Sequence, residues 1–292
     1  MDTGCSMSKV FTHIRDEELF TALKWAEEEG WNPGRYDLKA YYALDNSGFL
    51  MLTLDDMPIG VILALQYSTN FAFLGILIVK PEYRSLGYGA KLWCEALKKL
   101  KNCPSIGLYA VPQQVGRYES DGFIIQHKND RFEFIKKEQA HVASHGPTTI
   151  KSINFDKLNS CDMDYWGFPR GKFYEELLRY NDVHAYAIYD ENEKKLYGYG
   201  LIRPCLDGYR IGPLYCEDFQ SAITLTQVLL SKVPNGSKIF FDVPHINKYA
   251  AMFAEFFHCK RVPKKDTYTM FKGIIYNNNA EKCYGIASLE IG

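Results

Sequence analysis

Apolar and polar positions change period several times along this chain, and each change marks an element. Asp16 stands where it can cap a helix running to about Glu29, and the turn-rich cluster Gly30-Trp31-Asn32-Pro33-Gly34 stops it. Two strand-like apolar runs follow, Phe49 to Leu54 and Ile59 to Gln66, joined through Asp55-Asp56-Met57-Pro58 as a hairpin turn. Phe71 to Val79 is a third strand. The period then becomes helical, with Leu92, Trp93, Ala96, Leu97 and Leu100 on one face and Lys91, Glu95, Lys98 and Lys99 on the others. Its Lys-rich last turn suits the helix dipole. Ile106 to Val111 predicts another strand and Pro112 to Ser120 a short helix. Gly122 to Ile125 with Phe132 to Lys136 predicts a closing hairpin.

Helices and strands do not alternate regularly in this order, which excludes a simple doubly wound sheet and predicts an α+β fold. The segment from Gln139 to Thr148 has small and turn-forming residues without apolar period and reads as a linker. It divides the chain into 1–138 and 149–292. The halves carry a weak repeat. Phe73-Leu74-Gly75-Ile76-Leu77 resembles Arg210-Ile211-Gly212-Pro213-Leu214, and the run ending Ala110-Val111-Pro112 resembles the one ending Asp242-Val243-Pro244. Gly75 to Pro112 is 37 positions and Gly212 to Pro244 is 32, so the second copy is about five residues shorter. The missing stretch is where the first copy carries a glycine-rich turn.

Composition narrows the function. Thirty-four basic and 35 acidic residues give a formal net charge of −1 and are interspersed, which argues against a nucleic-acid surface. No apolar run has the length of a membrane span and no secretory h-region opens the chain, so a cytoplasmic protein is expected. The eight cysteines show no CxxC spacing, which disfavours a zinc site or a disulfide framework, and no metal is expected.

The chemistry concentrates after the third strand. Leu77-Ile78-Val79 runs through Lys80-Pro81-Glu82-Tyr83 into Arg84-Ser85-Leu86-Gly87-Tyr88-Gly89-Ala90 and directly into the amphipathic helix. A strand, a glycine turn and a helix N-terminus form an anion cradle, because unpaired amides and the positive dipole end face the ligand. Gly87 and Gly89 admit phosphate oxygens close to the backbone, and Arg84 adds charge-assisted bonds. A P-loop would need Gly-Lys-Ser/Thr here, and a dinucleotide fingerprint a third glycine where Leu92 stands.

The pattern Val-x-Pro-x-x-Arg-x-x-Gly-x-Gly, followed by Tyr118-Glu119-Ser120-Asp121-Gly122-Phe123, resembles the GNAT superfamily of acyl-CoA N-acyltransferases over about residues 8 to 138. The second half, with Ile211-Gly212-Pro213-Leu214, Asp242-Val243-Pro244 and the closing run Tyr284 to Glu290, is similar to the C-terminal domain of a tandem GNAT subgroup. The resemblance implies two GNAT-like domains, each a mixed, mostly antiparallel sheet flanked by helices. It implies acetyl-CoA or another acyl-CoA as co-substrate, its pyrophosphate on the amides of Arg84, Ser85, Leu86, Gly87, Tyr88, Gly89 and Ala90. The pantetheine arm would pair with Leu77, Ile78 and Val79, and Tyr118 would lie near the thioester sulfur as the proton donor to departing CoA. The second half departs from the pattern at Cys216-Glu217-Asp218-Phe219-Gln220, which has no glycine and sets two carboxylates where a pyrophosphate would sit.

The expected activity is N-acetyl or other N-acyl transfer to a small amine or amino-group acceptor, with one CoA per chain. Residues 1–138 are expected to hold it unaided, while the second half shapes the acceptor pocket. Trp31 and Asp37 are candidate acceptor contacts, though each also fits a packing or capping role. Glu17, Glu18, Asp37 and His127 are all chemically able to act as base, and the sequence does not choose among them. The competing readings are a non-catalytic acyl-CoA-binding or sensing protein with an interaction domain and, more weakly, a nucleotide-binding protein.

Overall fold

A computed structural model describes residues 8–11, 14, 16–138, 148–276 and 278–292. The linker expected at 139–148 lies outside the described residues except for Thr148, which opens a strand. The first half contributes β1 (Ser8–Phe11), α1 (Asp16–Glu28), α2 (Asp37–Leu44), β2 (Phe49–Leu54), β3 (Met57–Gln66), β4 (Phe71–Val79), α3 (Tyr88–Lys99), β5 (Ser105–Ala110), α4 (Val115–Ser120) and β6 (Ile124–Ile135). The second contributes β7 (Thr148–Ser152), α5 (Phe155–Tyr165), α6 (Gly171–Leu177), β8 (His184–Asp190), β9 (Leu196–Pro204), β10 (Tyr209–Cys216) and α7 (Phe219–Leu230). It continues through β11 (Lys238–Pro244), α8 (Ala250–Phe256), β12 (Lys260–Arg261), β13 (Thr267–Gly273) and β14 (Cys283–Gly285).

The hairpin between β2 and β3 turns tightly on Asp55 and Asp56, both in the left-handed region (φ 48° and 62°), so the turn is shorter than the sequence suggested. Both faces of the central strands are covered, which is why they read as continuous apolar runs. Phe49 and Met51, Val61 and Leu63, and Phe71 and Phe73 join one core with α1, α2, α5 and α6. Leu50 and Leu52, Ile62 and Ala64, and Ala72 and Leu74 point the other way, onto Leu92, Trp93 and Ala96 of α3. A third core lies under α7, around Leu225, Leu229, Phe241 and Val243.

Among the described residues all fourteen strands form one sheet, in the order β1-β2-β3-β4-β5-β13-β6-β11-β10-β9-β8-β7, with β12 on β6 and β14 on β10. The two halves exchange strands. β13, from the second half, lies between β5 and β6 of the first and is antiparallel to both, with Met270 opposite Leu108 and Thr269 opposite His127. The far end of β6 in turn enters the second half, pairing with β11 and with β12. The closing hairpin expected at Gly122–Ile125 and Phe132–Lys136 is therefore absent. Those residues largely form one long strand, whose neighbours come from more than a hundred positions away. Residues 1–138 do not contain a whole sheet, contrary to the expectation of a self-sufficient first half.

Buried ion pairs tie the exchange. Arg203 on β9 meets Asp37 on α2 through two bonds of 2.7 and 2.9 Å, and Arg131 on β6 meets Asp242 on β11 at 2.9 and 3.2 Å. Burial works to raise the Asp37 and Asp242 carboxyls, but their arginine partners outweigh it and hold both below the ordinary value of 3.8. No helix among the described residues is long and apolar enough to cross a membrane.

Candidate active site

The site begins with a fault in β4. Gly75 pairs with Leu63 and Ile78 with Val61 on β3, so Ile76 and Leu77 together oppose a single residue. This is a β-bulge, and Ile76 takes up the extra residue with φ 48°. The insertion reverses the parity of the strand: before it the odd-numbered Phe71 and Phe73 face the α1/α2 side, and after it the even-numbered Ile76 and Ile78 do. The parallel register of β4 with β5 covers only Phe71–Leu74, against Ser105–Leu108. Beyond it the strands part.

A cleft of about 450 Å³ occupies the gap, a volume usual for a small-molecule site. Leu77, Ile78 and Val79 line it along β4, with Arg84, Gly89 and Trp93 at one end and Tyr118 on the α4 side. Ser85, Leu86, Gly87, Tyr88 and Ala90 complete the loop at its mouth without lining it. Ser85 (φ 63°) and Gly87 (φ 85°) are both left-handed, so the loop curls tightly just before α3. Gly87 is the N-cap of α3 and supplies no side-chain bond, so the first-turn amides of this helix have no side-chain cap. A Cβ added at Gly87 would meet nothing within 4 Å, and one at Gly89 only Val79 Cγ2 at 3.7 Å. That space is what a phosphate approaching the backbone requires, so the cradle fits a pyrophosphate. Arg84 is braced beside it by Val79 O at 2.8 Å and by Glu29 across the mouth.

Tyr118 packs at a tilt against Trp93, ring centroids 4.9 Å apart, and burial raises its phenol above the ordinary value of 10 while Arg117 opposes the rise. It stays protonated at neutral pH and can donate. Trp31 also lines the cleft, as do Arg131, Lys264, Lys265, Thr267, Leu289 and Glu290. The second half therefore builds part of the wall.

Asp37 does not line the cleft. It is 1% exposed and committed to Arg203, to the Gly34 amide at 2.9 Å and to the Tyr41 hydroxyl at 3.0 Å, so its role is the joint between the halves rather than an acceptor contact. Glu17, Glu18 and His127 do not line it either. The carboxylate that sequence reasoning missed is Glu290. Its only sequence signal is an acid within the small and apolar run Gly285-Ile286-Ala287-Ser288-Leu289-Glu290-Ile291.

In the second half the equivalent features are closed. Asp218 caps α7, accepting from the Ser221 amide at 2.8 Å, and so occupies an amide of the kind left uncapped in α3. Pro213, matching Ile76, has no N–H to offer. β10 pairs with β11 only at Tyr209–Arg210, and β14 fills the divergence, hydrogen-bonded to β10 at Leu214 and Tyr215. Glu217 is held by Lys282 at 2.8 Å and accepts from Tyr165 at 2.7 Å. Among the described residues, no group of three or more His, Cys, Asp or Glu could hold a metal ion.

Both halves match known proteins. A sequence model described as the acetyltransferase (GNAT) family matches residues 16–123, and one described as an acetyltransferase (GNAT) domain matches 159–285. Holothin acyltransferase of Pseudoalteromonas sp. (strain SANK 73390) is 29% identical over 282 residues, 94% of this chain and 92% of the relative. A solved structure from Pyrococcus horikoshii superposes with TM-score 0.79 at 19% identity, over all of this chain and 98% of the other. A tandem GNAT protein from the clavulanic acid biosynthesis pathway superposes with TM-score 0.65 at 10% identity, over 91% and 98%. With a GNAT match in each half and an acyltransferase relative along nearly its whole length, the chain belongs to the GNAT superfamily of acyl-CoA-dependent N-acyltransferases, in a tandem arrangement.

Proposed function

We propose that the first-half cleft binds acetyl-CoA or another acyl-CoA and that the chain transfers the acyl group to the amine of a small molecule. One coincidence carries the reading: the open glycine cradle, the bulged strand and a protonated tyrosine lie along a single cleft. The amides from Arg84 to Ala90 would hold the pyrophosphate, with the helix dipole behind them. Leu77 to Val79 would present backbone to the pantetheine arm. An acyl-CoA supplies the activated thioester, and this chain's residues supply position and charge. The bulge leaves a backbone amide at Ile76–Leu77 free of a simple ladder partner, where it can polarise the thioester carbonyl. Tyr118 gives a proton to the departing thiolate.

Trp31 and Leu289 form the acceptor end, which suits a small, partly apolar amine. The relative named holothin acyltransferase supports the acyl-transfer reading. Residues 149–292 act as a wall and brace for the site rather than as a second site, and a cytoplasmic setting fits the acyl-CoA supply. The test is Tyr118→Phe. Turnover of acetyl-CoA with an amine panel should fall about 10²-fold. Calorimetric affinity for acetyl-CoA should stay within about twofold, because only a transition-state proton donor is lost. A turnover loss below about threefold would reduce Tyr118 to a packing residue.

A further inference from the structure

The acceptor end of the cleft is closed by the chain's own C-terminal tail. After β14 the Ile286 amide bonds to Asp242 O at 2.8 Å, and Arg203 donates to Ala287 O at 2.7 Å. Tyr67 then donates to Ile291 O at 2.6 Å, and Arg170 to Gly292 O at 2.6 Å. Between these anchors the tail runs against the bulge of β4. A Cβ on Gly75 would lie 2.3 Å from Glu290 O and 2.8 Å from Glu290 Cα, so only glycine admits the tail there. The tail touches Gly212 in the same manner, where a Cβ would lie 2.1 Å from Ile286 O. One short segment thus seals the second half's gap and brings an acidic residue into the wall of the first half's.

That side chain is Glu290. Two carboxylates line the cleft, Glu29 and Glu290, and Glu29 is tied to Arg84 at the mouth. Glu290 is 7% exposed. Its Oε2 accepts from Ser288 Oγ and lies 3.2 Å from the Tyr41 hydroxyl, whose one proton is shared with Asp37, while Oε1 accepts no hydrogen bond among the described residues. Charged groups whose fields reach it include Arg131 on β6 and Arg210 on β10, with Tyr41 on α2 as a titratable neighbour and Asp37 on the same Tyr41 hydroxyl. Both arginines are paired to Asp242, and Arg131 also donates to Trp31 O at 3.2 Å. Glu290 is therefore a carboxylate beside the bulge with one oxygen anchored and the other unclaimed.

We propose that Glu290 receives the acceptor amine, pairing with its ammonium form and taking its proton, so that the second half contributes a catalytic residue to the first half's site. This rests on the acyl-transfer reading of the cleft. Glu290 Oε1 takes one proton from R–NH₃⁺ and passes it to solvent. The neutral nitrogen attacks the thioester carbon, forming the C–N bond as the C–S bond breaks. Tyr118 protonates the leaving sulfur, and the nitrogen's second departing proton restores the phenol by way of solvent. The balance is one amine and one acyl-CoA to one amide and one CoA thiol, with one proton released from the ammonium.

The test uses the full chain, acetyl-CoA and benzylamine, with thiol release followed from about pH 6 to 9. Glu290→Gln should lower kcat/KM for benzylamine about 10²-fold near neutrality, with the Kd for acetyl-CoA within about twofold. The deficit should narrow as pH rises, because solvent then supplies free amine, and Glu290→Asp should recover part of the rate. A loss below about threefold, or an equal loss at every pH, would overturn the assignment and leave Glu290 a structural counter-charge. If benzylamine is not turned over by the wild type, its calorimetric affinity for the acetyl-CoA complex is the readout. Binding at least about tenfold weaker in Glu290→Gln, about 1.4 kcal/mol, sustains the proposal, and equal or undetectable binding to both overturns it. A wild-type chain that binds no acetyl-CoA overturns the reading of the cleft itself, and this is seen before any variant is made.

Discussion

The strand–helix joints β4–α3 and β10–α7 share a local pattern and end in opposite states. Both begin with a strand carrying a glycine at its irregularity, Gly75 or Gly212, and both diverge from the next parallel strand. In the first, the helix starts on a bare glycine and the gap stays open as the cleft. In the second, Asp218 caps the helix, proline stands in place of an amide donor, and β14 fills the gap. The difference teaches that one fold can leave a joint open in one half and fill it with its own chain in the other. The second joint satisfies internally groups of the kind that the first leaves open, and so braces the sheet.

Separating the halves should have the largest effect. In residues 1–138 β5 keeps only β4 as a neighbour and β6 keeps none, because β13 belongs between them. Unpaired edges beside an apolar core favour association over folding. The fragment should give no cooperative unfolding transition and should aggregate in size-exclusion chromatography; a soluble monomer with native circular dichroism would show the exchange to be dispensable.

The next effect is at the joint. Arg203→Met leaves Asp37 buried without its partner, which should cost about 3–5 kcal/mol by urea denaturation. The same pairs set an acid limit. The folded-state carboxyls of Asp37 and Asp242 lie below their ordinary 3.8, so their stabilisation is present above that value and is lost as pH falls through the lower, folded one. The urea midpoint should therefore drop below about pH 4, and a midpoint flat through that window would mean the pairs contribute little.

A smaller effect separates the open joint from the closed one. Gly89→Leu adds a side chain whose Cβ meets only Val79, at ordinary contact distance, so thermal stability should hold. Acetyl-CoA affinity should fall at least about tenfold, about 1.4 kcal/mol. Unchanged affinity would remove the cradle from the binding site.

Much of the first joint was legible because its signals are local. The strand Phe71–Val79, the glycine turn and the amphipathic helix follow one another within thirty residues of sequence, and periodicity and glycine chemistry report on such neighbours. The bulge was hidden because both faces of β4 are buried, so a reversal of parity leaves no polar trace. The strand exchange was hidden for a different reason. Ile124-Ile125 and Phe132 to Ile135 look like two strand ends, the polar run Gln126 to Arg131 between them looks like a turn, and nothing in the segment says that its neighbour is Thr267–Gly273. Asp37 was misjudged because an acid before a helix looks alike whether it faces solvent or a buried Arg203. Glu290 could not be placed without the path of the tail.

The central claim is that one joint binds acyl-CoA and the other has been filled by the chain itself. Isothermal titration of the full chain with acetyl-CoA tests it most directly. The account predicts one site per chain, lost or weakened in Gly89→Leu. Two sites per chain, or one that Gly89→Leu leaves untouched, would contradict it.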